Sequence, residues 1–73
     1  MNFVLYQLVR IVKDTKTQSS PSLLVKAGTI GTVLDIEINK DGSATYLLEL
    51  DNSVFGEGVT DHFDEKDLEP LEN

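Results

Sequence analysis

His62 is the side chain with the widest chemical range in this sequence, because an imidazole can exchange protons near pH 7 or bind a metal. It is the only histidine, and it lies between Asp61 and Phe63 with Asp64 beyond. The chain has no cysteine, so it offers no second nitrogen or sulfur ligand of the kind that zinc prefers. We therefore expect His62 to be an exposed residue on an acidic surface, and we predict neither a metal nor a cofactor.

Other segments resemble ion-binding loops only in part. Residues 37–43 match the start of a calcium-binding loop, but the twelfth position, which needs a bidentate glutamate, is Leu48. Residues 28–31 lack the lysine of a phosphate-binding loop, and residues 56–58 place Glu57 where a phosphate would lie. No serine has the sequence context of a nucleophile elbow. These patterns predict a protein that is not an enzyme.

Charge is divided unevenly along the chain. Residues 49–73 contain nine carboxylates and one lysine, whereas residues 1–26 contain four basic residues and one aspartate, and the formal net charge is −7. A negative field repels phosphate backbones and anionic membranes, and it attracts basic proteins. The balance predicts a basic protein partner, with no nucleic acid and no membrane.

The acidic C-terminal region is the predicted binding surface. Phe55 belongs to it because glycine follows, so we expect this ring to be exposed, whereas Tyr6, Tyr46, Phe3 and Phe63 are typical of a core. The candidate partner-binding residues are Glu57, Asp61, His62, Asp64, Glu65 and Phe55.

Strands are the predicted elements that position these residues, since Val, Ile, Thr, Tyr and Phe dominate and alanine is rare. We predict strands over residues 7–13, 29–38, 44–50 and 68–71, with residues 23–25 returning to the core. Glycine at 42 predicts a tight hairpin turn over 39–42. Residues 14–22 are predicted as a long loop, 26–28 and 51–53 as turns, and 64–67 as one helical turn. Within 29–38 we expect Thr32, Leu34, Ile36 and Ile38 to share a face, and Gly31 to mark a bulge or a close backbone approach.

This layout resembles an SH3-like barrel. The similarity is carried by LVRIV at 8–12, a loop, AGTIGTV at 27–33, Phe63, and DLEPL at 67–71. The chain is closest in pattern to uncharacterised small bacterial proteins of this shape, and similar in layout to the ferredoxin-docking barrel of photosystem I and the ferredoxin–thioredoxin reductase variable chain. The resemblance implies a small, partly open all-β barrel of about five antiparallel strands that docks on a larger protein. Ferredoxin-docking barrels present basic surface, whereas this chain is acidic.

Length and composition complete the expectation. Seventy-three residues predict a single domain over 1–73 with a small core, and the absence of a long apolar run predicts a cytoplasmic protein. The leading hypothesis is a non-catalytic protein-interaction module, for example an inhibitor or immunity-type protein. The alternatives are an accessory subunit that docks through residues 14–22, and a nucleic-acid-binding barrel that uses Arg10, Lys13, Lys16 and Lys26.

Overall fold

Short strands dominate the part of the chain that the structure, a computed structural model, describes, which is residues 3–71. In chain order the elements are β1 Leu8–Ile11, β2 Thr15–Lys16, β3 Leu24–Val25, β4 Ile30–Ile38, β5 Ala44–Leu50, α1 Asn52–Phe55, β6 Thr60–Asp64, the 3-10 helix Glu65–Asp67 and β7 Leu68–Pro70. The fold is mostly β and antiparallel, as predicted. The predicted helical turn before the last strand is also confirmed.

Within residues 3–71, five strands form one sheet in the order β6-β5-β4-β1-β7, and β2 pairs with β3 in a separate hairpin. β6 and β7 are the two edges of the larger sheet, so the sheet does not close into a barrel there. Pro70 lies in the edge strand β7, where a missing N–H disrupts no interior ladder. The predicted edge position of this strand is confirmed.

β5 shows how the sequence builds the core. Side chains alternate between the two sides of a strand, and every second residue of β5 is apolar. The buried residues of this strand are Ala44, Tyr46, Leu48 and Leu50. Phe63 from β6 is buried beside them, and Phe3 packs edge-on against Tyr46 with ring centroids 5.2 Å apart. The predicted burial of Tyr46 and Phe63 is confirmed.

The turn between β4 and β5 is the predicted hairpin. The Asn39 N–H donates to the Ser43 carbonyl at 2.8 Å, and Gly42 has a φ of 89°, a backbone conformation that glycine adopts without strain. Asp41 accepts hydrogen bonds from the hydroxyl and the backbone N–H of Ser43, and these bonds lower the pKa of Asp41.

The predicted assignment of the β4 side chains to the two faces of the sheet is wrong, because the strand contains a bulge. Its register against β5 shifts between Val33 and Asp35, which makes Leu34 an extra residue. Val33 is therefore buried before the bulge, and Ile36 packs on the core after it. Gly31 is not the bulge. A Cβ there would lie 3.3 Å from the Glu49 carbonyl oxygen, so the predicted close backbone approach is confirmed.

Residues 14–22 are not the simple loop that the sequence predicts, because they include β2. The Thr17 N–H donates to the Leu23 carbonyl, and the Leu23 N–H donates to the Thr17 hydroxyl, both at 2.8 Å. These bonds allow Thr17 to be buried. The prediction that residues 23–25 return to the core is confirmed only for Val25, since Leu24 of β3 and Leu23 before it are exposed.

Residues 51–53, predicted as a turn, instead contain the N-cap Asp51 and the first two residues of α1. Asp51 caps the helix by accepting from the Ser53 N–H at 3.0 Å and from the Ser53 hydroxyl at 2.8 Å. These two bonds lower the pKa of Asp51. No helix among the described residues is long and apolar enough to span a membrane.

Two aromatic residues differ from the sequence prediction. Phe55 is half-buried against the core, so the prediction that its ring is exposed is wrong. Tyr6, predicted to lie in the core, is 73% exposed. Phe55 is drawn inward because α1 turns its last residue toward the sheet, an orientation that the sequence alone does not show.

Candidate functional site

The outer side of β4, β5 and β6 carries acidic residues in three rows, and each row runs across the paired strands. In an antiparallel sheet, directly paired residues point to the same side. Leu47 of β5 pairs with Asp35 on one side and His62 on the other. Thr45 pairs in the same way with Glu37 and Asp64.

A third row contains Glu49, which pairs with Thr32 and Thr60. The three rows together form what we call the acidic sheet face, which consists of Asp35, Glu37, Glu49, His62 and Asp64. It is opposite to the side that packs the core.

The charges of the acidic sheet face point to solvent. Asp35, Glu37, Glu49 and His62 are exposed and Asp64 is half-buried. None of the ion pairs found among residues 3–71 includes one of these carboxylates. Because adjacent strands lie about 4.8 Å apart, charged groups on β4 and β6 are about 10 Å apart across β5. Such a surface can attract a cationic macromolecule.

A shallow cleft of about 390 Å³ lies at the hairpin end of this face. It is lined by Asp41, Ser43, Ala44, Asp64, Glu65 and Lys66. Glu65 accepts a hydrogen bond from the Tyr46 hydroxyl at 2.6 Å, which ties this acidic residue to the core. No group of three or more acidic or histidine side chains within residues 3–71 is arranged to hold a metal ion.

Asp61 is not on the acidic sheet face. It is only 8% exposed, and it points toward the segment that connects β2 and β3. Burial by itself raises the pKa of Asp61, but hydrogen bonds from Ser19, from the His62 backbone and from Thr17 outweigh it and hold the pKa below its ordinary value. Asp61 therefore joins the β2–β3 hairpin to the sheet and is not part of the acidic sheet face.

Glu57 and Phe55 lie at the other end of β6 from Glu65. The five residues of β6 separate the two ends, and at about 3.3 Å per residue they span about 16 Å. Glu57 is exposed, whereas Phe55 packs on the core. The candidate residues are thus divided among a sheet face, a hairpin-end cleft, a buried position and the segment after α1.

Three of the four basic residues of the N-terminal segment are paired with acidic ones within residues 3–71. Arg10 Nε contacts Glu69 Oε1 at 2.8 Å, and Lys13 Nζ lies 3.4 Å from Asp67 Oδ1. The two acids come from the C-terminal segment, so folding neutralises part of the charge difference between the chain's ends. A third pair, between Lys26 and Asp14, is longer at 3.8 Å. This pairing weakens the case for a basic nucleic-acid surface.

Sequence reasoning missed Asp35, Glu37 and Glu49 as site residues. Asp35 and Glu37 alternate with apolar residues in the predicted strand, which indicates a shared solvent face. Their proximity to His62 and Asp64 depends on β6 pairing with β5, and no pattern in the sequence indicates that pairing.

These features define a class: a small antiparallel sheet domain with one face on its core and an acidic face open to solvent. Comparisons with protein-family models, with curated proteins and with solved structures give no match.

Proposed function

We propose that this chain is a non-catalytic protein-interaction module that binds a basic protein through the acidic sheet face. The observation that carries the proposal is the shared, solvent-directed placement of Asp35, Glu37, Glu49 and Asp64, which form no ion pair within residues 3–71. An inhibitor or immunity-type protein that covers a basic site on its target is the form of such a module that this charge suits best.

Electrostatic attraction of this kind acts mainly on the rate of association. Complementary charges steer two proteins together and can raise the association rate constant well above the neutral range of about 10⁵–10⁶ M⁻¹s⁻¹. Salt screens exposed charges, with a Debye length of about 8 Å at physiological ionic strength. The association rate should therefore fall as salt is added, while the dissociation rate changes less.

The same proposal includes an SH3-like, partly open barrel as the architecture. Its support is the strand order, the long bulged β4 that pairs with both β1 and β5, and the 3-10 helix directly before the edge strand β7. Such a barrel presents rigid strands, so the carboxylates are held in fixed rows.

The deciding experiment compares two variants that lose the same charge at different places. D35N/E37Q removes two carboxylates from the acidic sheet face. D14N/E57Q removes two exposed carboxylates elsewhere, and the amide that replaces the Asp14 carboxylate keeps an oxygen that can accept the Ala27 N–H. A basic protein that co-purifies with the native chain is identified and purified, and its association rate with each variant is measured at 50 and 300 mM NaCl.

We expect D35N/E37Q to slow association about tenfold at 50 mM NaCl and to flatten its salt dependence, since both charges act on the encounter. D14N/E57Q should change the rate about twofold at most. Equal rates for the two variants would show that overall charge, and not the acidic sheet face, attracts the partner. A partner whose binding is indifferent to salt would contradict the proposal altogether.

A second function, an accessory subunit that docks through the region of residues 14–22, is favoured by one observation. Leu23 and Leu24 are 44% and 49% exposed beside this region. If this function is the true one, L23S/L24S abolishes association with the enzyme complex, D35N/E37Q leaves it intact, and high salt does not disrupt it.

A further inference from the structure

A second cleft, of about 340 Å³, opens at the end of the sheet opposite to the β4–β5 hairpin. The side chains and turn residues around it are Leu8, Ile30, Thr32, Glu49, Asp51 and Asn52. Leu8 pairs with Thr32, and Thr32 pairs with Glu49, so these three share the outer side of the sheet. The cleft is therefore continuous with the acidic sheet face through Glu49.

The walls of this cleft are partly aliphatic and partly acidic. Leu8 is 47% exposed and Ile30 is half-buried, and together they supply aliphatic surface. Glu49 is exposed, and within residues 3–71 its carboxylate takes part in none of the ion pairs. Asp51 at the rim uses Oδ1 to cap α1. The cleft thus offers aliphatic surface beside the Glu49 carboxylate. Arg10, which pairs with Ile30 and so shares this side of the sheet, is held by Glu69 at 2.8 Å.

We propose that this cleft binds an arginine or lysine side chain of the partner, with the methylene stem on Leu8 and Ile30 and the cationic head on Glu49. Arginine and lysine side chains each have an apolar stem and a charged head. Each can bury its stem against apolar surface while the head keeps polar contacts. A volume near the lower end of the range for ligand pockets, about 300–1,000 Å³, suits one side chain. This inference rests on the proposed function, since it names what the basic partner would insert.

Exposed apolar side chains also occur in the chain segment before β1. Tyr6 is two residues from Leu8, so their Cα atoms are at most about 7 Å apart. The Tyr6 ring is 73% exposed, and Leu5 beside it is 49% exposed. Neither side chain lines the cleft, so the cation site depends on Leu8, Ile30 and Glu49.

The test is a nuclear magnetic resonance titration of the folded chain with defined probes. ¹⁵N-labelled protein is titrated separately with N-acetyl-arginine amide, N-acetyl-lysine amide and N-acetyl-citrulline amide, the last being a neutral analogue of the first. The native chain is compared with E49Q and with E57Q, which removes an exposed carboxylate that does not line the cleft.

We expect saturable shifts at the amides of Leu8, Ile30 and Glu49 with the arginine or the lysine probe, and none with citrulline. E49Q should bind the cationic probe at least about fivefold more weakly, a loss of about 1 kcal/mol, whereas E57Q should bind as the native chain does. Amide chemical-shift changes that occur near every exposed carboxylate and do not saturate would overturn the proposal. So would equal binding by E49Q and the native chain.

The two proposals fail in different ways. If the cleft binds no cationic probe but D35N/E37Q still slows the partner, the acidic sheet face stands and the cleft does not. If the cleft binds the probe and D35N/E37Q has no effect on any basic partner, the cation site stands without the proposed function.

Discussion

Asp61 shows how an acidic residue can belong to the fold instead of a binding surface. Burial raises its pKa, but hydrogen bonds from Ser19, His62 and Thr17 outweigh burial and lower the pKa overall. A carboxyl whose pKa is lower in the folded than in the unfolded state stabilises the fold above its unfolded pKa of about 3.9. That contribution is lost as the pH falls through the folded pKa.

We therefore expect D61N to reduce the free energy of unfolding by about 1–2 kcal/mol at pH 7, because an amide replaces the charged acceptor of several hydrogen bonds. The difference from the native chain should shrink as the pH falls below about 4. Urea denaturation at pH 7, 5 and 3 measures both effects. E57Q serves as the control and should stay within about 0.5 kcal/mol of the native chain. A loss that is the same at every pH would contradict a charged Asp61.

Tyr6 has a strained backbone at the third position of a turn, which the Gln7 N–H closes by donating to the Val4 carbonyl at 3.2 Å. Its φ is 67°, a conformation that costs a residue with a Cβ about 1–2 kcal/mol, and its N–H donates to the Val33 carbonyl at 2.7 Å. The side chain itself is mostly in solvent. The turn and the bond to Val33 hold Tyr6 in a conformation that glycine would adopt without this strain.

Comparing Y6G with Y6A separates the backbone from the ring. Both variants lose the ring, but only glycine adopts this φ without strain. We expect Y6G to be about 1 kcal/mol more stable than Y6A in urea denaturation, and at least as stable as the native chain. If Y6A proves to be the more stable of the two, Tyr6 does not hold this conformation in solution.

At the scale of elements, the sequence predicts those strands in which apolar and polar residues alternate over many positions. β5 and the hairpin turn before it are predictable because four apolar residues alternate along β5 and a glycine follows Asp41. The sequence does not predict β6, because Asp61 lies at an inward position of this strand. An alternating pattern would require an apolar residue there. β2 and β3 have two residues each, too few for a pattern.

The candidate site is predictable to a smaller extent than the fold. An acidic character near His62 and Asp64 follows from composition. Asp35 and Glu37 belong to the acidic sheet face because β4 and β6 both pair with β5. Asp61 is absent from that face because it accepts hydrogen bonds from Thr17 and Ser19, which are distant in the sequence. Both are long-range relations, and neither leaves a local pattern in the sequence.

The junction between the end of β1 and the 3-10 helix contains a buried acidic residue. Asp67 is buried, and its Oδ1 has no hydrogen bond, although the Lys13 ammonium lies 3.4 Å away. We treat this contact as an ion pair without hydrogen-bond geometry. Lys13 is then the group that compensates the buried charge.

K13M tests this role, with K26M as the matched control. Removing the partner of a buried charge costs more than removing the partner of an exposed one. We expect K13M to lower the free energy of unfolding by about 1–2 kcal/mol. K26M, whose partner Asp14 is exposed and 3.8 Å away, should cost about 0.5 kcal/mol or less. Equal losses in thermal and urea denaturation would show that Asp67 is compensated in another way.

At the scale of the whole molecule, folding rearranges the charges that the sequence separates. The basic N-terminal segment is bound to Asp67 and Glu69 of the acidic one, and Asp35, Glu37, Glu49 and Asp64 gather on one side of β4, β5 and β6. A single sheet thus has one face for the core and one for charge. The excess negative charge is retained at a cost in self-repulsion.

That cost predicts the response of the fold to salt. Since the net charge is −7 and two of the three ion pairs found among residues 3–71 join groups that are largely exposed, screening should relieve more repulsion than attraction. We expect the Tm to rise between 10 and 300 mM NaCl by about 4–8 °C, which corresponds to about 1 kcal/mol for a domain of this size. D35N/E37Q, with two charges fewer on the acidic sheet face, should start from a higher Tm and rise less. A Tm that falls with NaCl in calorimetry would mean that the ion pairs outweigh the repulsion, and the acidic sheet face would then not be the self-repelling surface that we infer.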